Sequence, residues 1–208
     1  MSILFLISHT QKNRSHYEAI EATWGKGQKT IYYSDHFGIP NILKFSDSSD
    51  FSSNEEKFVN MVRYLPDILL DYEWFFVSND DTFVNVPLLE AYTLTADPKL
   101  VHGKAIRINP LDPALQYLSG GAGRLISRDV FLHARKTIYM RHTGFSDVTF
   151  GMHLQDHEIF TQDSSLFHID TPKKEGIPDV CVKHHLTFHY CMPDEMYRLQ
   201  TLIQKEPS

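Results

Sequence analysis

Apolar residues in this chain fall into short continuous runs separated by longer stretches with helical spacing. Residues 3–7 form an unbroken apolar run, the pattern of a strand covered on both faces inside a sheet. Residues 16–24 have helical spacing, and residues 30–33 and 41–45 read as short strands. Ser52-Ser53-Asn54-Glu55-Glu56 reads as a helix start, with capping residues followed by acids in the first turn. From it runs an amphipathic stripe of Phe58, Val59, Val62, Leu65, Ile68 and Leu69, one long helix that carries Pro66 within it.

Trp74-Phe75-Phe76-Val77 is the strongest strand pattern in the chain. It breaks off at Ser78-Asn79-Asp80-Asp81-Thr82 and resumes as Phe83-Val84 before a helix led by Pro87. A further strand is expected at 101–105. Tyr117-Leu118 leads into Ser119-Gly120-Gly121-Ala122-Gly123, and helices are expected at about 128–139 and 146–154. The tail carries a β-like segment at 186–190 and a last helix near 194–203. Strands alternating with helices predict an α/β fold with a mostly parallel central sheet flanked by helices. The 208 residues show no repeat, low-complexity segment or long linker, which suits a single domain.

Composition narrows the function classes. A hydrophobic content of 42% supports a buried core, and 12% aromatics serve either that core or flat ligands. The net charge of −6, the pI of about 6.0 and the lack of a basic run argue against binding nucleic acid through phosphate neutralisation. Cys181 and Cys191 belong to no CxxC pair, so free thiols are expected rather than a structural zinc or disulfide scaffold. The apolar run near the N-terminus is too short for a transmembrane segment and lacks the basic flank of a signal peptide. With Met1 as the native start, a cytoplasmic protein is expected.

The sharpest chemical feature is Asn79-Asp80-Asp81 at the carboxyl end of the most apolar strand, where ligands gather in open α/β sheets. Adjacent carboxylates repel each other, and a divalent cation with hard oxygen ligands relieves that repulsion. Such an ion can also neutralise a departing diphosphate. An Asp-rich turn accounts for the same residues without a ligand. The glycines of the 119–123 segment permit positive φ and close approach to a ligand, or merely a turn; the segment matches neither the P-loop nor the GxGxxG pattern. Asp147, at the start of an expected helix among apolar neighbours, suits either a general base or a helix cap. His168 and His189 lie in aromatic, strand-like surroundings, where an imidazole either completes a metal site or fills the core.

Taken in order, the segments 74–84, 117–123 and Ser146-Asp147-Val148 resemble the fringe and core 1 β1,3-galactosyltransferase family. Thr187-Phe188-His189-Tyr190, followed by Glu195-Met196-Tyr197, is similar to the core 1 branch, and Ala22-Thr23-Trp24 is similar to that family's early helix. The resemblance runs from about residue 3 to residue 203. It implies a GT-A fold, a UDP-sugar donor, a divalent metal of the Mn²⁺ kind and inverting transfer that makes a β1,3 linkage.

Carried over residue by residue, the resemblance makes Asp81 and His189 metal ligands and Asp147 the catalytic base, with His168 matching a further Phe-His pair. Asn79, Asp80, Asp81, Gly120, Gly121 and Ala122 are implied donor-binding residues, and Lys57 is an implied diphosphate or structural contact. Residues 1–86 would form the nucleotide-binding half and 87–208 the acceptor-binding half. Asn79 and Ser146 stand where the family has acids, and Arg124 stands where it has an aromatic. The family's Golgi enzymes carry an anchor, stem and cysteine framework that this sequence lacks, so the alternative to a cytoplasmic protein is a soluble catalytic fragment of a secretory-pathway enzyme.

The implied reaction moves a hexose or N-acetylhexosamine, galactose or N-acetylglucosamine, from a UDP-sugar to an acceptor hydroxyl of a glycan or glycoconjugate. The competing expectation is a non-catalytic sugar- or protein-binding module on the same fold, motivated by Asn79 and Ser146. A metal-dependent phosphohydrolase would also use clustered acids and histidines, but no second carboxylate pair for two metals is evident.

Overall fold

In the computed structural model, which describes residues 2–109 and 112–204, the N-terminal apolar run is strand β1 (Ile3–His9), inside a seven-stranded sheet. Its side chains alternate strictly. Ile3, Phe5 and Ile7 enter one core with Trp24, Tyr32 and Phe76, while Leu4 and Leu6 enter another with Phe58, Phe75 and Val77. That two-faced burial is why the run has no polar alternation.

The chain continues through α1 (Arg14–Ala22), β2 (Thr30–Ser34), β3 (Ile42–Lys44), α2 (Asn54–Tyr64), β4 (Trp74–Asn79), β5 (Phe83–Val84) and α3 (Val86–Thr93). There follow β6 (Val101–Gly103), β7 (Ala105–Asn109), β8 (Asp112–Leu118), β9 (Arg124–Ser127), α4 (Arg128–Thr137), α5 (Ser146–Asp156), β10 (Thr161–Asp163), β11 (Thr187–Phe188) and α6 (Pro193–Gln204). The large sheet has the order β10-β6-β9-β4-β1-β2-β3, and every pairing is parallel except the two made by β9. Helices α1, α3 and α6 pack on one face and α2, α4 and α5 on the other.

Four departures from the sequence expectation have local causes. The stripe from Phe58 to Leu69 is not one helix: α2 stops at Tyr64, and Leu65 turns to ψ 129°. Pro66 has no N–H to continue the ladder and disfavours helical backbone in the residue before it. Asp67–Leu69 is a separate 3-10 turn, with Ile68 exposed. The strand expected at 101–105 is split, because Ala105 leaves the sheet to begin a two-stranded ribbon of β7 and β8. Strand β9 runs straight into α4 and was not expected. The segment at 186–190 contributes only two ladder residues, pairing Thr187 with Val84 and Phe188 with Phe83.

Both cysteines are free thiols. Among the described residues, no helix is long and apolar enough to cross a membrane.

Candidate active site

Parallel pairing brings the carboxyl ends of β1, β2 and β4 to one edge, with Ser8 opposite Asn79 and His9 opposite Ser34. Just beyond that edge, the two neighbouring aspartates part company. Asp80 turns inward: Oδ2 lies 2.7 Å from Nδ1 of His9, and Oδ1 accepts from Nδ2 of Asn13 at 3.0 Å. Asp81 turns the other way, with Oδ1 3.1 Å from Nε2 of His189. The mutual repulsion of the pair is thus relieved by giving each carboxylate its own surroundings.

His189 arrives from the far end of the chain because β11 pairs with β5, and Cys191 N–H then donates to the Asp81 carbonyl at 2.9 Å. Its ring occupies the space over Gly121, where an added Cβ would fall inside the imidazole. Gly123 has φ +85°, and a Cβ there would run into the Phe76 ring. Two of the three loop glycines are therefore required by packing of His189 and Phe76. The loop is clamped by Thr82 Oγ1 donating to Gly121 O at 2.8 Å and by Thr187 Oγ1 donating to Ala122 O at 2.6 Å.

Asp81 Oδ1 is buried and makes no hydrogen bond among the described residues, despite the nearby imidazole nitrogen. An orphaned carboxylate oxygen beside an imidazole nitrogen is a mixed donor set that fits a divalent cation.

Asp147 stands in the first turn of α5, one residue inside the start, so it is not the cap; Phe145 occupies that position. Its Oδ1 accepts from Val148 N–H at 3.0 Å and its Oδ2 from Gly120 N–H at 3.4 Å, and the helix N-terminus favours the anion. The segment leading into α5 is held by Glu55 of α2, which accepts from Arg141 N–H at 2.6 Å and from Gly144 N–H at 2.8 Å. Burial alone would raise the Glu55 carboxyl, but these hydrogen bonds outweigh it and hold the group below its ordinary value.

Asn79, Asp81, Gly120, Gly121, Asp147 and His189 all line one cleft of about 490 Å3, joined by Asn54, Tyr117, Ser146 and Tyr190. A slightly larger hollow of about 560 Å3, near Trp24, Val86 and Gln200, collects none of the motif residues.

Asp80, Ala122 and Lys57 lie outside that lining and are buried. The Lys57 amine has no hydrogen-bond partner among the described residues. Burial lowers its pKa, against the pull of Asp35 and Asp80. His168 is engaged elsewhere, with Nε2 2.8 Å from Nδ1 of His185 and its ring stacked on Phe188.

Sequence reasoning missed His9, Asn13, Asp35 and His36, which surround Asp80 and the end of β2. Ser34 Oγ donates to His9 O at 2.8 Å and lies 2.7 Å from Nδ1 of His36. The available signal was the abrupt change to polar residues at the carboxyl ends of two apolar strands.

No family model matches the sequence. The chain is 29% identical over 175 residues to the glycoprotein-N-acetylgalactosamine 3-beta-galactosyltransferase 1 of Xenopus laevis, an alignment covering 65% of this chain and 46% of that protein. It is 37% identical over 67 residues to the chondroitin sulfate glucuronyltransferase of Homo sapiens, covering 31% of this chain and 9% of that protein. The chain thus spans less than half the length of these relatives. Among solved structures, a glycosyltransferase involved in glycosylation of the major capsid of PBCV-1 matches with a TM-score of 0.58 at 15% identity, over 96% of this chain and 99% of that one. The fold is that of GT-A glycosyltransferases, and parts of the sequence are similar to those two glycosyltransferases.

Proposed function

We propose that this protein is an inverting, metal-dependent glycosyltransferase that moves a hexose or N-acetylhexosamine from a UDP-sugar to an acceptor hydroxyl, forming a β1,3 linkage on a glycan or glycoconjugate. The observation that carries the reading is one cleft containing both the Asp81–His189 pair, with its orphaned carboxylate oxygen, and Asp147 across the glycine loop.

Asp81 and His189 would hold a divalent ion, Mn²⁺ in our reading, which supplies charge neutralisation for the departing diphosphate. Asp147 accepts the proton of the acceptor hydroxyl, whose oxygen forms the new bond to the anomeric carbon. The bond from that carbon to the diphosphate oxygen breaks, and its electron pair leaves with UDP. One displacement inverts the configuration, and no enzyme nucleophile is needed. Asn79, Gly120 and Gly121, which line the cleft, would border the nucleotide and sugar, while Asp80, fixed by His9 and Asn13, and Ala122 would support that wall from behind. Lys57 stands behind the strand ends, within the field of Asp35 and Asp80. In this reading residues 1–86 bind the nucleotide and 87–208 the acceptor, with His189 crossing from the second half to complete the first.

The test is calorimetric titration of UDP with and without Mn²⁺, followed by a panel of UDP-sugars. Mn²⁺-dependent binding that is lost in Asp81→Ala supports the donor site, and unchanged binding in that variant counts against it. Binding without transfer from any donor would leave a sugar-nucleotide-binding module on the same fold.

A further inference from the structure

Away from the cleft, three imidazoles converge that the proposed transfer does not use. His133 lies on α4, and His153 and His157 lie four residues apart in and just beyond the last turn of α5. That spacing places the latter two on one helical face. One ring nitrogen from each of the three lies within 4.8 Å of the others. Ring centroids are 4.6 Å apart for His153 and His157, 4.8 Å for His133 and His157 and 6.3 Å for His133 and His153. Asp147 is at the opposite end of α5, roughly 9 to 15 Å along the axis at 1.5 Å per residue.

The middle ring carries the independent evidence. His153 has no exposed surface, and neither of its ring nitrogens has a hydrogen-bond partner among the described residues. A buried polar group left unpartnered is costly and uncommon in folded proteins. Its ring stacks with Phe150, a contact that an apolar side chain would also make without the stranded nitrogens. Burial, together with His157 and His133 nearby, lowers its pKa. The guanidinium of Arg141 also faces this region, but it is paired with the Asp156 carboxylate, which offsets its charge.

We propose that His133, His153 and His157 form a binding site for a transition-metal dication of the zinc kind, distinct from the cleft. Three imidazoles are a donor set that suits Zn²⁺. The set offers no carboxylate oxygen, the ligand preferred by Mg²⁺ and Mn²⁺, so the two sites select different ions. His153 is fixed in the core, whereas His133 and His157 reach solvent and can close on an ion arriving from outside. A bound ion would fasten α4 to the far end of the helix that carries Asp147.

The assignment is independent of the transferase reading and is tested without it. The Asp81→Ala/His189→Ala chain, whose cleft ligands are removed, is titrated with Co²⁺ followed by its visible absorption, and then with Zn²⁺ by displacement. We expect one ion per chain, with affinity falling by at least about tenfold in His133→Ala and again in His157→Ala. Both substitutions are at solvent-reaching positions, and circular dichroism checks that the fold is retained. Binding of undiminished affinity in His133→Ala would be a two-histidine chelate on one helix and would overturn the proposal. So would binding indifferent to all three histidines, or failure of the Asp81→Ala/His189→Ala chain to bind Co²⁺.

Discussion

Oδ1 of Asp81 lies 3.1 Å from Nε2 of His189, and a third residue sets that distance by having no side chain. The His189 ring fills the space where a Cβ of Gly121 would stand. Threonine hydroxyls grip the carbonyls of Gly121 and Ala122, so the loop cannot easily withdraw. Gly121→Ala should therefore push the imidazole off Asp81 and weaken Mn²⁺ binding by at least about tenfold, or about 1.4 kcal/mol. Gly120→Ala, whose new methyl meets nothing nearer than 3.7 Å, should keep wild-type Mn²⁺ affinity. Electron paramagnetic titration of Mn²⁺ separates the two, and wild-type affinity in Gly121→Ala would detach His189 from the metal.

Asp147→Asn keeps one acceptor oxygen for Val148 N–H, the shorter of the two bonds at 3.0 Å, and gives up the 3.4 Å bond from Gly120 N–H, so the helix start should survive. What it loses is the capacity to take a proton. Turnover should fall by about 10²- to 10⁴-fold, the usual contribution of a general base, while Mn²⁺-dependent UDP affinity stays within about twofold. Equal losses in both would remove Asp147 from the base role.

The parts of this site legible in sequence were those carried by a strand end or a short motif. Apolar β4 announces where Asp81 emerges, and the glycine loop and Ser146-Asp147-Val148 follow in recognisable order. Which aspartate faces which way was not legible from spacing, because Asp80 is committed by His9, a partner 71 positions away; only the family resemblance singled out Asp81. Strand β9 was hidden for a different reason: its four residues have no turn before α4, and Arg124 gives them a polar start. Pro66 is the opposite case, a local rule that outweighed the longer apolar stripe.

Glu55 holds the entry to α5 through two backbone N–H groups, and Thr143 Oγ1 lies 3.4 Å from Oε2. Glu55→Gln replaces one acceptor oxygen with a donor facing donors, and should cost roughly 1–3 kcal/mol of stability. Because the folded carboxyl sits below its ordinary value of about 4.5, the unfolded chain takes up a proton first as pH falls. The Glu55 contribution is therefore fully present above about pH 4.5 and is lost as pH drops through the folded value. Urea unfolding of both chains from pH 7 to pH 3 should show their stabilities converging at the acid end. A difference that stays constant across that range would mean that ionisation of Glu55 contributes nothing.

Arg124 is 1% exposed and lies between Phe58 and Phe150, at 4.8 and 5.2 Å from their ring centroids. Its Nε and Nη1 have no hydrogen-bond partner among the described residues. Burial lowers its pKa, and Tyr33 and then the Asp147 charge pull it back. Stacking returns only about 0.5–2 kcal/mol per aromatic contact, whereas an unpartnered buried cation costs several kcal/mol. Asp147 keeps its own N–H partners, so removing the cation strands no buried charge, and an apolar side chain of similar length removes the desolvation cost. Arg124→Met should thus unfold at the same or a higher temperature. If the cation is kept for its field at Asp147 and the cleft, that equally stable protein should turn over at least about tenfold more slowly, the usual exchange of stability for activity. Loss of stability with unchanged turnover would instead make Arg124 a packing residue whose charge is incidental.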